Sequence, residues 1–127
     1  MAYTYDDQNI FARILRGEIP NRTVLETDHV LAFHDVRPQA PVHVLVVPKG
    51  RYVCFDHFAA EASAEEIAGF TRATGEVCRL LGVDPGAGGA GYRVIANSGP
   101  DSHQEVPHFH IHILAGRPRG AMLVRPA

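Results

Sequence analysis

The rhythm of apolar and polar positions changes several times along this chain, and each change marks a predicted element. Ile10, Phe11, Ile14 and Leu15 recur at helical spacing behind Asp6 and Asp7, either of which can cap a helix. Gly17 ends that helix and Pro20 reinforces the stop. Residues 22–26 and 29–34 read as two strands joined by a hairpin turn at Glu26-Thr27-Asp28. Between Pro38 and Pro41 lies a loop. Val42 to Val47 is a β-branched run, read as a central strand that stops at Pro48. Ser63, with Glu66 three residues later, forms a capping box for a longer helix. Ile67, Phe70, Thr74, Val77, Cys78 and Leu81 share one face of it, and Gly82 and Asp84-Pro85 close it. The glycine-rich stretch 86–91 follows a helix and precedes a strand, the reverse of a phosphate-cradling loop, and reads as a flexible connector. Tyr92 to Ala96 and Pro107 to Leu114 are the last two strands, followed by a tail from residue 115 with no clear period.

Strands in hairpin order with two helices predict an α+β fold around an antiparallel sheet of about five strands. The 127 residues contain no repeat and no linker, so the whole chain reads as one domain. A formal charge of −2 and the absence of any Lys/Arg run disfavour nucleic acid or an anionic membrane as partner. Cys54 and Cys78 are not spaced as a CxxC pair and read as reduced thiols. The acidic, polar start lacks the features of a secretion signal, and no apolar run approaches the ~20 residues of a spanning helix. These features lead to the expectation of a cytoplasmic protein.

One segment stands apart. HFHIHIL (108–114) alternates strictly, so in a strand Phe109, Ile111 and Ile113 turn to the core and His108, His110 and His112 to the opposite face. Three imidazoles on one face need hydrogen-bond partners or a ligand. Chance polarity explains one such histidine better than three. A zinc half-site is a second reading, but i and i+4 lie ~13 Å apart in a strand. Further ligands would then have to come from His43, Asp35 or another remote group. The third reading is a nucleophilic histidine supported by the other two.

The same segment resembles the signature of the histidine-triad (HIT) family. IFARILRGEIP (10–20), LAFHDVRPQAPVHVLVVPK (31–49) and YRVIANSGPDSHQEVPHFHIHILAGR (92–117) resemble the corresponding segments of its Hint branch, so the likeness spans nearly the whole chain. It implies a HIT-like fold, a homodimer, and hydrolysis of purine nucleoside phosphoramidates or related AMP conjugates, with no metal and no cofactor. His110 matches the nucleophile that forms a nucleotidyl-histidine. By the same resemblance His112 contacts the phosphate and leaving group, His108 orients the nucleophile, and His43 approaches from the adjacent strand. Asp35 matches the acid that binds the ribose hydroxyls. Ile10, Phe11, Ile14, Phe33, His34 and Val36 match the walls of the base pocket, and Asn97 and Gln104 match donors near the phosphate.

Elementary chemistry agrees with these roles. A neutral imidazole can attack phosphorus through one nitrogen while an acceptor holds the proton of the other. That acceptor is either a backbone carbonyl or a neighbouring ring. His112, Asn97, Gln104 and backbone N–H groups of residues 102–106 are the available phosphate donors. Glu105 and His103 depart from the family, where small or hydroxyl residues and glycine are common; the expectation is that Glu105 turns outward and lends its backbone N–H. His29, His57 and His103 read as surface histidines. The tail lacks the Trp-Pro-Pro-Gly-like ending of eukaryotic Hint proteins. Three rival functions are a diadenosine polyphosphate hydrolase, a nucleotide-binding regulatory protein with little activity, and a strand-based metal enzyme.

Overall fold

Asn9, rather than Asp6 or Asp7, caps the first helix: its side-chain oxygen accepts from Ala12 N–H at 2.9 Å. Asp6 forms the preceding turn instead, with its carbonyl and carboxylate accepting from Asn9 and Gln8. In the computed structural model, which describes residues 3–124, that helix is α1 (Ile10–Leu15). Gly17 takes a positive φ just beyond its end, as predicted. Strands β1 (Thr23–Glu26) and β2 (Val30–His34) form the expected hairpin, with the Thr27 hydroxyl accepting from the N–H groups of His29 and Val30 in the turn. Strand β3 (Val42–Pro48) runs one residue beyond its predicted end. The short helix α2 (Phe55–Glu61) escaped the sequence reading because no side chain caps it. Helix α3 (Ala64–Leu80) carries the capping box of Ser63 and Glu66. Strands β4 (Tyr92–Ile95) and β5 (Ile111–Ala115) complete the set.

The five strands form one antiparallel sheet in the order β1-β2-β3-β5-β4. Val30, Ala32, Val44, Val46, Ile111 and Ile113 meet Phe58 of α2 and Phe70, Ala73 and Val77 of α3 on one face. Phe58, Phe70 and Phe109 pack with ring centres 5.1–5.3 Å apart. On the other face Leu31, Phe33, Leu45 and Val47 meet Phe11 and Ile14 of α1. Strands β2 and β3 are therefore covered on both sides, which explains their continuous apolar runs. The 86–91 stretch, read as a flexible connector, forms a hydrogen-bonded turn. A side chain at Gly89 would meet the Val83 carbonyl carbon at 2.4 Å, so glycine is required there.

Strand β5 is shorter than predicted. Its ladder starts at Ile111, opposite Val46, and residues 108–110 lead into it with a backbone bond from Phe109 N–H to the Tyr52 carbonyl at 2.7 Å. The alternation of facing nevertheless holds through this lead-in: Phe109 joins the helix-covered core and His108 does not. Replacing the fully buried Ile113 by Ala is expected to cost about 2–5 kcal/mol of stability. Urea denaturation should show this as a lowered midpoint with native secondary structure retained.

Candidate active site

Strand register brings four imidazoles together on the α1 side of the sheet. His112 lies opposite Leu45 of β3, and His43 lies opposite Leu114 of β5, which makes the two histidines diagonal neighbours on the same face. His110 precedes the ladder, with its ring centre 5.1 Å from that of His112 and 4.8 Å from Phe11. His110 and His112 line a cavity of about 660 Å³. Its apolar wall comes from Phe11, Ile14, Phe33 and Leu45; Asp35, Asn97 and residues 102–105 add polar groups.

Hydrogen bonds decide where each ring proton sits. His110 Nδ1 lies 2.7 Å from the carbonyl of His108. A carbonyl only accepts, so Nδ1 carries the proton and Nε2 keeps its lone pair. Of the two acceptors that the chemistry allowed, the backbone carbonyl is the one used. Gln39 N–H donates to His43 Nδ1 at 3.0 Å, so the His43 proton sits on Nε2. His43 Nε2–H in turn donates to His112 Nδ1 at 2.9 Å, which leaves the His112 proton on its own Nε2. The site thus holds an unprotonated nitrogen on His110 and an N–H donor on His112.

Burial keeps these rings neutral. It pushes His108 and His112 down to about 4, helped at His112 by the neighbouring His110 and His43. His110 and His43 are lowered by the same burial, opposed at His110 by the His108 carbonyl and at His43 by Asp35.

All ten predicted nucleotide-binding residues line the cavity: Ile10, Phe11, Ile14, Phe33, His34, Asp35, Val36, Asn97, Gln104 and Glu105. Ile10 and Val36 stand at its exposed rim. Two of the four predicted catalytic histidines do not line it. His43 sits behind His112 as just described. His108 is 0% exposed, with Nε2–H donating to the Pro48 carbonyl at 2.8 Å and Nδ1 accepting from the Tyr5 hydroxyl at 2.5 Å. The triad therefore presents two rings to the cavity and buries the third.

The loop also corrects the expected donor set. Gln104 spends its amide on bracing the loop: Nε2 donates to the carbonyls of Val53 and Val106, and Oε1 accepts from Gly99 N–H. The N–H groups of Ser102, His103 and Gln104 close the 100–102 turn onto Gly99 and Pro100. Among the described residues, the N–H of Glu105 has no partner, and the Glu105 side chain is exposed. His103, expected at the surface, is exposed but lines the cavity with a positive φ of 56°. His57, also expected at the surface, is buried under Tyr3 and accepts from Val53 N–H. Neither His103 nor Tyr5 carried a signal in the alternating pattern.

Asp35, His43 and His112 can each offer a donor atom to a metal, all within 4.8 Å of one another. The fit is poor as it stands. The two histidine nitrogens share a proton across 2.9 Å, and zinc would need ~2.0–2.1 Å to each with that proton removed. This donor set is accounted for by a hydrogen bond.

The HIT domain family model matches residues 16–119. The chain belongs to the HIT family. A HIT-like protein of Azospirillum brasilense is 59% identical over 127 residues, 98% of this chain and 99% of that protein. A 14 kDa zinc-binding protein of Zea mays is 39% identical, covering 88% of this chain and 84% of the other. A HIT family hydrolase from Clostridium thermocellum superimposes with a TM-score of 0.81 at 31% identity, over 94% of this chain and 99% of that one. A histidine triad nucleotide-binding protein from Candida albicans does so with 0.73 at 26%, over 90% and 85%. This HIT domain thus has the fold and triad of nucleotide-binding, hydrolase-like proteins. No helix among its described residues is long and apolar enough to cross a membrane.

Depressed histidine pKa values have a pH consequence with a definite sign. The unfolded chain takes up protons near pH 6.5, whereas the folded rings resist protonation down to about 4. Their neutral burial is fully compatible with stability above pH 6.5, and stability is lost as pH falls through the window from 6.5 to 4. His108 alone contributes a loss of about 3 kcal/mol across it. Melting temperatures measured from pH 8 to pH 4 should show a plateau and then a steep fall.

Proposed function

We propose that this HIT domain hydrolyses purine nucleoside 5′-phosphoramidates, or acyl- and aminoacyl-AMP, to AMP through a covalent nucleotidyl-His110. One observation carries the reading: His110 has its Nδ1 proton held by the His108 carbonyl, freeing Nε2, in a ring that lines the cavity beside the His112 donor. Asp35 supports ribose recognition. One carboxylate oxygen accepts from Arg37 N–H, and enough lone pairs remain to take two vicinal hydroxyls. Phe11, Ile14 and Phe33 supply an apolar wall suited to a purine.

In the proposed first step the Nε2 lone pair of His110 attacks the α-phosphorus, and the bond to the leaving group breaks with its electron pair. A carboxylate departs without further help. An amine must collect a proton, and His112 Nε2–H is the donor. A bound anionic phosphate favours the proton-loaded form of His112. His43 can then turn its Nε2–H to Asp35 Oδ2, 3.4 Å away. In the second step water attacks phosphorus and expels Nε2 of His110; its proton goes to the emptied Nε2 of His112 after an amine has left, and to solvent after a carboxylate has left. No step requires a metal. One imidazolium and otherwise uncharged N–H donors are suited to one α-phosphate better than to the longer, more highly charged chain of a dinucleoside polyphosphate.

We also propose a cytoplasmic homodimer. The exposed Tyr92 and Val94 on edge strand β4 support a subunit contact, and the two cysteines are buried and unpaired. Sedimentation analysis should give twice the chain mass, and a Val94→Lys variant should shift it toward monomer.

His110→Ala is expected to lower turnover of adenosine phosphoramidate at least about 1,000-fold. Wild-type turnover should persist in excess chelator. Mass spectrometry of a quenched reaction should find a nucleotidyl adduct on the peptide containing residues 108–112. Turnover without any adduct would overturn the covalent route. His112→Gln should cost about 100- to 10,000-fold with an amine leaving group and markedly less with an acyl adenylate, as steady-state kinetics on both substrates will show.

A further inference from the structure

The family model begins at residue 16, so the segment ahead of α1 lies outside what it describes. That segment is nonetheless closely tied to the site. Tyr3 hydrogen-bonds Asp56 and stacks on His57 with ring centres 4.9 Å apart. Tyr5 reaches the buried His108, and the guanidinium of Arg51 lies 5.3 Å from the Tyr5 ring centre while pairing with Asp7. Asn9 then caps α1, which carries Phe11 against His110. Residues 3–9 therefore form a strap fastened at nearly every second residue.

Tyr5 occupies the critical fastening. The carbonyl that holds the His110 proton belongs to His108, which stands outside the β5 ladder. The nearest backbone anchor is Phe109 N–H to Tyr52. The remaining hold on His108 is its ring, through Nε2–H to the Pro48 carbonyl and Nδ1 from the Tyr5 hydroxyl. Since Pro48 only accepts, Nε2 must carry the proton, Nδ1 must accept, and the tyrosine must donate. Without that hydroxyl, Nδ1 becomes a buried acceptor with no partner, and the ring gains an incentive to shift or change tautomer.

We propose that Tyr5 is a positioning residue: its hydroxyl locks the His108 ring, and through the His108 carbonyl it sets the tautomer and aim of His110. The kinetic arm of its test rests on the turnover proposed above; the spectroscopic arm does not. In wild-type protein labelled with ¹⁵N-histidine, long-range nitrogen–proton correlation should show His108 protonated on Nε2 and His110 on Nδ1. Tyr5→Phe should move both sets of nitrogen shifts toward tautomer-averaged values. It should lower kcat for adenosine phosphoramidate about tenfold with KM within about twofold. Tyr3→Phe, which loosens the same strap at Asp56, should leave the His108 and His110 shifts and kcat unchanged. A Tyr5→Phe protein with wild-type shifts and wild-type kcat would overturn the proposal. So would a Tyr3→Phe protein that matched Tyr5→Phe in both. If Tyr5→Phe does not fold, Arg51→Ala removes, at an exposed position, both the guanidinium over the same ring and its pair with Asp7 of the strap. There the His108 shifts must move in the same direction, and unchanged shifts overturn the proposal. Failure of wild-type protein to turn over any AMP conjugate would refute the proposed function while leaving the nitrogen spectra to decide the role of Tyr5.

Discussion

A hydrogen bond of 2.7 Å from His110 Nδ1–H to the carbonyl two residues earlier determines which nitrogen of the central ring is available for chemistry. An imidazole free to exchange tautomers would offer its lone pair to the cavity only part of the time. The carbonyl makes the choice permanent because it can accept and cannot donate. The second ring in the cavity is set the same way but from further off. Gln39 N–H orders His43, and His43 orders His112. Two chains of donors ending in opposite senses produce an unprotonated ring nitrogen beside an N–H donor, with every ring uncharged.

The sheet makes this arrangement possible and also makes it costly. Strands β2 and β3 are packed on both faces, so any imidazole placed beside them loses water. Burial opposes the charged form, which is why His108 and His112 fall to about 4. The proposed chemistry benefits, because its attacking species is a neutral ring. Acid stability suffers, because the unfolded chain binds protons that the folded site refuses. The proposed chemistry and acid lability are thus two results of one packing decision.

The loop over residues 99–106 shows how tertiary context redirects residue roles. Gln104 has the right chemistry to meet a phosphate, and it lies in the cavity wall. Its three hydrogen bonds instead tie Gly99, Val53 and Val106 together. Its contribution is the shape of the loop that leaves the Glu105 N–H without a partner among the described residues. His57 likewise reads as a surface residue in the sequence, but it lies on α2, an element with no side-chain cap to announce it, and Tyr3 stacks over its buried ring.

Local pattern was enough for much of this protein. Period-2 alternation put Phe109, Ile111 and Ile113 on one face and the histidines on the other, because a pleated backbone allows nothing else. The capping box located α3, the hairpin turn located β1 and β2, and the family's segments picked out ten residues that do line one cavity. These features depend on residues close together in the chain or on a likeness of whole segments. Other properties belong to contacts between distant residues, and no local rhythm encodes them. Which acceptor holds the His110 proton, which triad ring is shut away, and which nitrogen of His112 faces the cavity all depend on neighbours. Tyr5 is 103 residues from His108, and His43 is 69 from His112. A hydrogen bond acts over about 3 Å, so only the folded chain, by bringing those partners within reach, could decide them.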